Sequence, residues 1–172
     1  MTDTETGELG IGDDALLERI RSACVGSFGV LQSSFLCQSL VSLNLKPMLK
    51  IDVSSTLREA TKSLQLNNTG CALVVNPSGR LDGIFTERDC LTKIIGTEVN
   101  LDTTLVSAVM TREPVCESAE CTVAYALSLM SNGGFRHIPI VDDEHCPVGV
   151  VSVRDIVDHI VDSMLNDLLN YK

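Results

Sequence analysis

Hydrophobic residues along this chain fall into two rhythms, short apolar-rich stretches and stripes spaced three and four apart. The compact run Ala72-Leu73-Val74-Val75 predicts a buried strand, and Leu81 to Phe85, His137 to Val141 and Val148 to Val151 read as further strands. The stripes predict helices. One carries Leu57, Ala60 and Leu64, and the next starts at Glu87 and buries Leu91, Ile94 and Ile95 before Gly96. A third carries Val123, Ala126, Leu127 and Met130. The last holds Ile156, Val157, Ile160, Val161, Met164, Leu165, Leu168 and Leu169, a broad face about two turns longer than its counterpart. Ser54 or Ser55 is expected to cap the first of these helices and Ser118 the third. Asn67-Asn68-Thr69-Gly70 and Asn132-Gly133-Gly134 should stop them. Asn76-Pro77-Ser78-Gly79 and Asp142-Asp143-Glu144-His145 read as turns, and Pro47 to Ile51 and Pro114-Val115-Cys116 as extended lead-ins.

The order extended segment, helix, strand, strand, helix therefore occurs twice. Gly83-Ile84-Phe85-Thr86-Glu87-Arg88-Asp89 returns sixty-six residues later as Gly149-Val150-Val151-Ser152-Val153-Arg154-Asp155. Thr56 aligns with Thr122, Ala60 with Ala126, Val75 with Val141 and Ile94 with Ile160. Two copies are too few for a solenoid. They can instead pair about a pseudo-two-fold axis, with equivalent loops on either side of one cleft. The expected division is residues 1–46 as an acidic leader and helical extension, 47–104 as the first repeat and 105–172 as the second. Within the extension, residues 1–12 are polar and acidic and read as disordered. Asp13 or Asp14 is placed to cap a helix carrying Leu16, Leu17, Ile20, Cys24 and Val25. A second short helix around Ser34–Leu43 would turn Phe35, Leu36, Leu40 and Leu43 toward the main body or a second subunit.

Composition narrows the function classes. A chain of 172 residues with 44% hydrophobic content can form a substantial core. It has no apolar run long enough to span a bilayer. The acidic start, Met1 to Asp14, is unlike a secretory signal, so a cytoplasmic protein is expected. The net charge is −10, and no basic face is available for nucleic acid. Seven cysteines with no C-x-x-C pair argue for reduced, structural thiols rather than a metal site. His137, His145 and His159 have no recognisable triad partners, and no G-x-x-x-x-G-K loop occurs, so no enzyme is expected.

The candidate chemistry lies in the repeated Thr86-x-x-Asp89 and Ser152-x-x-Asp155, each at a strand-to-helix junction. A hydroxyl at the N-cap with an acid three residues on is close to a capping box, which needs no ligand. The same carboxylate can accept hydrogen bonds from both hydroxyls of a ribose, and free amides at a helix start favour an anion. Both readings stay open on the residues alone.

The motif Gly-h-h-(Thr/Ser)-x-Arg-Asp, where h is hydrophobic, is preceded in the second copy by Phe135-Arg136-His137-Ile138-Pro139-Ile140-Val141-Asp142. With its repetition, it resembles a tandem pair of CBS (cystathionine-β-synthase-type) domains, a Bateman module, over residues 47–162. The resemblance implies an α/β fold of two repeats related by a pseudo-two-fold axis, and a regulatory role sensing AMP, ADP, ATP or a related adenosyl ligand such as NAD or S-adenosylmethionine. It implies one site at Thr86 and Asp89 and another at Ser152 and Asp155. Arg136 and His137 would serve ligand phosphates across the two-fold and favour the Asp89 site, because Gly70 and Cys71 stand in register with them. Arg88 and Arg154 have Glu87, Asp158 and phosphate as open alternatives. Lys50, Ile51, Met110, Arg112, Pro114 and Val115, in the lead-ins, would supply the remaining walls. The family also implies a homodimer and an effector protein that the sequence does not identify. The alternative is a protein-interaction scaffold in which the two motifs only cap helices.

Overall fold

The structure, a computed structural model, describes residues 33–43 and 47–169. The helix expected to start at Asp13 or Asp14 lies outside the described residues, as do the side chains of Met164, Leu168 and Leu169. The architecture is mixed α/β. A short helix α1 (Ser33–Leu36) and a 3-10 turn (Leu40–Ser42) precede β1 (Lys50–Asp52) and α2 (Leu57–Leu66). Then come β2 (Cys71–Val75), β3 (Leu81–Thr86) and α3 (Glu87–Asp89), which widens into a π-helical turn over Cys90–Ile94. A 3-10 turn (Val106–Ala108) and β4 (Thr111–Arg112) lead to α4 (Val123–Gly133), β5 (His137–Val141), β6 (Pro147–Ser152) and α5 (Val153–Leu169).

The duplication is visible in the hydrogen bonding. β1 runs parallel to β2, and β2 and β3 are antiparallel. In the second copy Glu117 bridges Ile140 in parallel, and β5 and β6 are antiparallel. Both hairpins shift register at the same place, between Val74 and Val75 and between Ile140 and Val141.

The repeats exchange the segments ahead of their extended lead-ins. Leu57 N donates to Thr104 O at 2.9 Å, and sixty-six residues on Val123 N donates to Gln38 O at 2.9 Å. Val106 N donates to Ser55 O and Leu40 N to Cys121 O, both at 2.8 Å. Val106, Val109 and Met110 thus fill the first core with Leu57, Phe85 and Val74. Phe35, Leu40 and Leu43 fill the second with Val123, Ile138 and Ile156. Residues 38–43, expected in an extension ahead of the first repeat, therefore complete the second. β4 likewise joins the first sheet, with Gly83 opposite Arg112 and Ile84 opposite Thr111. A third cluster, Cys71, Leu73, Leu81 and Ile84 against Val141 and Val150, closes the sheets on one another.

Several local expectations are corrected. Thr56, not Ser54 or Ser55, caps α2, in a capping box with Glu59; Ser54 instead binds the Asp52 carboxylate. Thr122, not Ser118, caps α4, accepting from Tyr125 N. In each case the hydroxyl directly before the first helical residue has the reach to the third amide. Leu91 and Ile95 are exposed, because the π-turn rotates the helix face away from the core. In α5, Ile156 is buried, whereas Val157, Val161 and Leu165 are about half exposed. Cys37 is disulfide-bonded, while Cys71, Cys90, Cys116, Cys121 and Cys146 are free thiols. Spacing along the chain gives no measure of which thiols meet in space.

Gly83 makes β4 pairing possible. A Cβ there would lie 2.6 Å from Met110 Sδ and 2.8 Å from the Thr111 carbonyl oxygen, and the second of these is backbone. Gly83→Ala should therefore destabilise the fold by about 1–3 kcal/mol, measured by chemical denaturation.

Candidate functional site

A cavity of about 430 Å³ lies where the two repeats meet. Its floor is the β3–α3 junction. Thr86 is extended at the strand end, and the chain turns directly into α3. Thr86 N and Thr86 Oγ1 donate to Asp89 Oδ2 at 2.9 and 2.8 Å, while Asp89 N donates back to Thr86 Oγ1 at 3.3 Å. This is a reciprocal capping box built with Asp. Glu87 N donates to Gly70 O. These three amides are satisfied within the protein, so the α3 start does not offer them to an anion.

Asp89 is only 4% exposed, a buried carboxylate at the cavity floor. Its Oδ1 forms a 2.6 Å ion pair with Lys93 Nζ and accepts from Thr111 Oγ1 at 3.3 Å. Lys93 also donates to the Val109 carbonyl at 2.7 Å. A buried charge requires such partners, since desolvation would otherwise outweigh its burial.

The opposite wall comes from the second repeat. Gly134 is left-handed (φ 65°), which turns the chain sharply out of α4. A Cβ on Gly133 would fall 2.1 Å from the Phe135 ring, so glycine there lets Phe135 fold back over the helix end. Phe135, Arg136 and His137 then line the cavity. Arg88 Nη1 reaches across from the first repeat to the Gly134 carbonyl at 2.9 Å. Burial, aided by Arg136, lowers the His137 pKa below its usual value against weaker pulls from Asp155 and Glu87. Burial thus favours the neutral imidazole of His137, and Arg136 and Arg88 bring positive charge to this side.

Thr86, Asp89, Pro114, Val115, Arg136 and His137 share the cavity. The other expected site residues do not line it. Lys50 is exposed on β1, Ile51 and Met110 are buried in the first core, and Arg112 extends away to donate to the Ser107 carbonyl. The lead-in strands place these side chains on faces other than the one bordering the cavity. Ser152 and Asp155 repeat the capping geometry elsewhere, with Ser152 N and Ser152 Oγ both donating to Asp155 Oδ2. Around that motif the equivalents of Arg136, His137 and Lys93 are Gly70, Cys71 and His159. Burial pushes the Cys71 thiol up to about 11, and His159 faces Gln38 and Phe35. The two motifs are therefore alike in backbone and unlike in chemistry. Lys93, Thr111, Glu87 and Glu113 also border the cavity. Only Lys93 has a sequence signal, its four-residue spacing from Asp89. Among the described residues no group of three or more His, Cys, Asp and Glu is arranged to hold a metal ion, and no helix is long and apolar enough to cross a membrane.

A family model described as CBS domain matches the chain twice, at residues 41–96 and 106–162. The chain belongs to the CBS domain family. Each CBS match takes in an exchanged lead-in, starting close to the 3-10 turns at Leu40 and Val106. The CBS domain-containing protein CBSCBSPB5 of Arabidopsis thaliana is 34% identical over 122 residues, covering 71% of this chain and 22% of that protein. The chain thus spans about a fifth of the length of the first CBS relatives it matches. Among solved structures, the CBS domain protein PAE2072 from Pyrobaculum aerophilum, complexed with AMP, aligns with a TM-score of 0.66 at 22% identity, over 75% of this chain and 99% of that one. The CBS domain pair of protein MJ0100, in complex with 5′-methylthioadenosine and S-adenosyl-L-methionine, aligns with a TM-score of 0.64 at 23% identity, over 74% and 98%. At these identities the likeness is one of fold.

Proposed function

We propose that this CBS pair is a non-enzymatic regulatory module that binds an adenosine-containing ligand in the cavity at Asp89. The observation that carries the reading is the placement of a buried carboxylate from one repeat opposite Arg136 and His137 from the other. Asp89 suits the ribose hydroxyls, and Arg136, an exposed guanidinium on the wall, suits a phosphate in bidentate geometry. Phe135 offers a ring at the same wall. CBS pairs of the same fold were solved with AMP and with S-adenosyl-L-methionine and 5′-methylthioadenosine, which supports an adenosyl ligand here. Because both repeats line the cavity, a ligand that touches both favours one packing of the repeats, and an effector protein would read that packing. Asp155, around which Gly70 and His159 stand in the positions of Arg136 and Lys93, is assigned the weaker site or none.

The scaffold reading keeps one specific support, the complete internal pairing of Asp89. The two readings separate in a thermal-shift panel of AMP, ADP, ATP, NAD and S-adenosylmethionine on nucleotide-stripped protein. A saturable rise in Tm is expected with at least one of them, lost in Arg136→Ala and in Asp89→Ala. A flat panel on folded protein would favour the scaffold.

A homodimer is also proposed. Leu91 and Ile95 are exposed, as are their counterparts Val157 and Val161, and Leu165 continues the stripe. Pairs of exposed apolar residues related by the internal repeat suit an interface that is itself two-fold. Sedimentation should give twice the chain mass at micromolar concentration, and Val157→Glu with Val161→Glu should give the monomer.

A further inference from the structure

A carboxylate has about four acceptor positions, two on each oxygen. In Asp89 all four are taken: Thr86 N and Thr86 Oγ1 on Oδ2, and Lys93 Nζ and Thr111 Oγ1 on Oδ1. A ligand diol must displace one of these donors. The Oδ2 pair belongs to the capping box that starts α3, and breaking it would undo the turn. The Oδ1 pair is the replaceable one. Thr111 is held at a long 3.3 Å, so Lys93 at 2.6 Å is the strong competitor. Its side chain is 40% exposed and itself lines the cavity, on a flexible four-carbon stem.

Moving Lys93 off Asp89 has an energetic consequence. A nearly buried carboxylate loses its counter-ion, and an ammonium bonded to the Val109 carbonyl is left facing the cavity. An uncharged nucleoside offers Asp89 two hydroxyls but gives Lys93 nothing. A nucleotide offers the hydroxyls and also an anion that can receive the displaced ammonium.

Resting on the adenosyl-binding reading above, we propose that Lys93 is the specificity-determining residue of this cavity. It holds Asp89 in the free protein and yields it only to a ligand whose own anionic group takes the ammonium in exchange. The cavity therefore selects nucleoside phosphates over uncharged nucleosides by an exchange of ion pairs. Selection acts through Asp89 as well as through direct phosphate contact. The second motif lacks the device, since the position of Lys93 is His159 there, turned toward Gln38 and Phe35.

The test is titration calorimetry of AMP and adenosine against the full chain and Lys93→Met, which keeps the stem and removes the charge. In the wild type AMP should bind at least about tenfold tighter than adenosine, the scale of one charge-assisted hydrogen bond. In Lys93→Met adenosine should tighten while AMP weakens, so the ratio narrows several-fold, with Arg136 keeping the preference that remains. A loss of fold stability alone would leave the ratio unchanged, which separates selection from a structural role. Adenosine binding the wild type as tightly as AMP, or an unchanged ratio in Lys93→Met, would overturn the proposal while leaving adenosyl binding intact. Failure of both ligands on both folded proteins would instead remove the adenosyl reading on which it rests.

Discussion

Neither repeat closes its own core. Val106, Val109 and Met110 open the second repeat yet complete the first, and Phe35, Leu40 and Leu43 precede the first yet complete the second. Each buried side chain of this kind contributes about 1.5–3 kcal/mol relative to leaving it exposed. The two halves are consequently hard to separate, and the position of one is fixed by the chain that enters the other. The cavity follows from the exchange. Thr111, Glu113, Pro114 and Val115 reach it because β4 pairs with Gly83 and Ile84, and that pairing delivers the Thr111 hydroxyl to Asp89.

At Asp89 one set of atoms serves two demands. The carboxylate starts a helix through Thr86 and neutralises Lys93, and both tasks stabilise the unliganded fold. The same burial and the same position at the cavity floor suit it to ligand recognition. Capping and the proposed binding are compatible roles, because the capping bonds use Oδ2 and the Lys93 pair uses Oδ1. Functional sites commonly carry such compromises between local structure and chemistry.

Much of the fold was legible in the sequence. Short apolar-rich stretches located β2, β3, β5 and β6, and the sixty-six-residue period located the equivalent motifs. The helix caps were misplaced because several hydroxyls stand in a row at Ser54-Ser55-Thr56, and only the backbone decides which one reaches the third amide. The exchange of the segments ahead of the lead-ins was not legible, since a period in sequence does not say which copy a segment packs against. For the same reason Pro114 and Val115 were found at the cavity while Lys50, Ile51 and Arg112 were not. Thr111 reaches Asp89 by strand pairing between repeats, which leaves no local pattern. Lys93 did leave one, an acid and a base four residues apart, but such spacing on a helix surface ordinarily marks only an exposed pair.

The central claim is that two motifs alike in backbone make one ligand site, at Asp89. The direct measurement is the binding stoichiometry of AMP per chain in the wild type, Asp89→Ala and Asp155→Ala. The account predicts one tight site per chain, abolished by Asp89→Ala and retained in Asp155→Ala. Two equivalent sites, or loss of the tight site in Asp155→Ala alone, would contradict it.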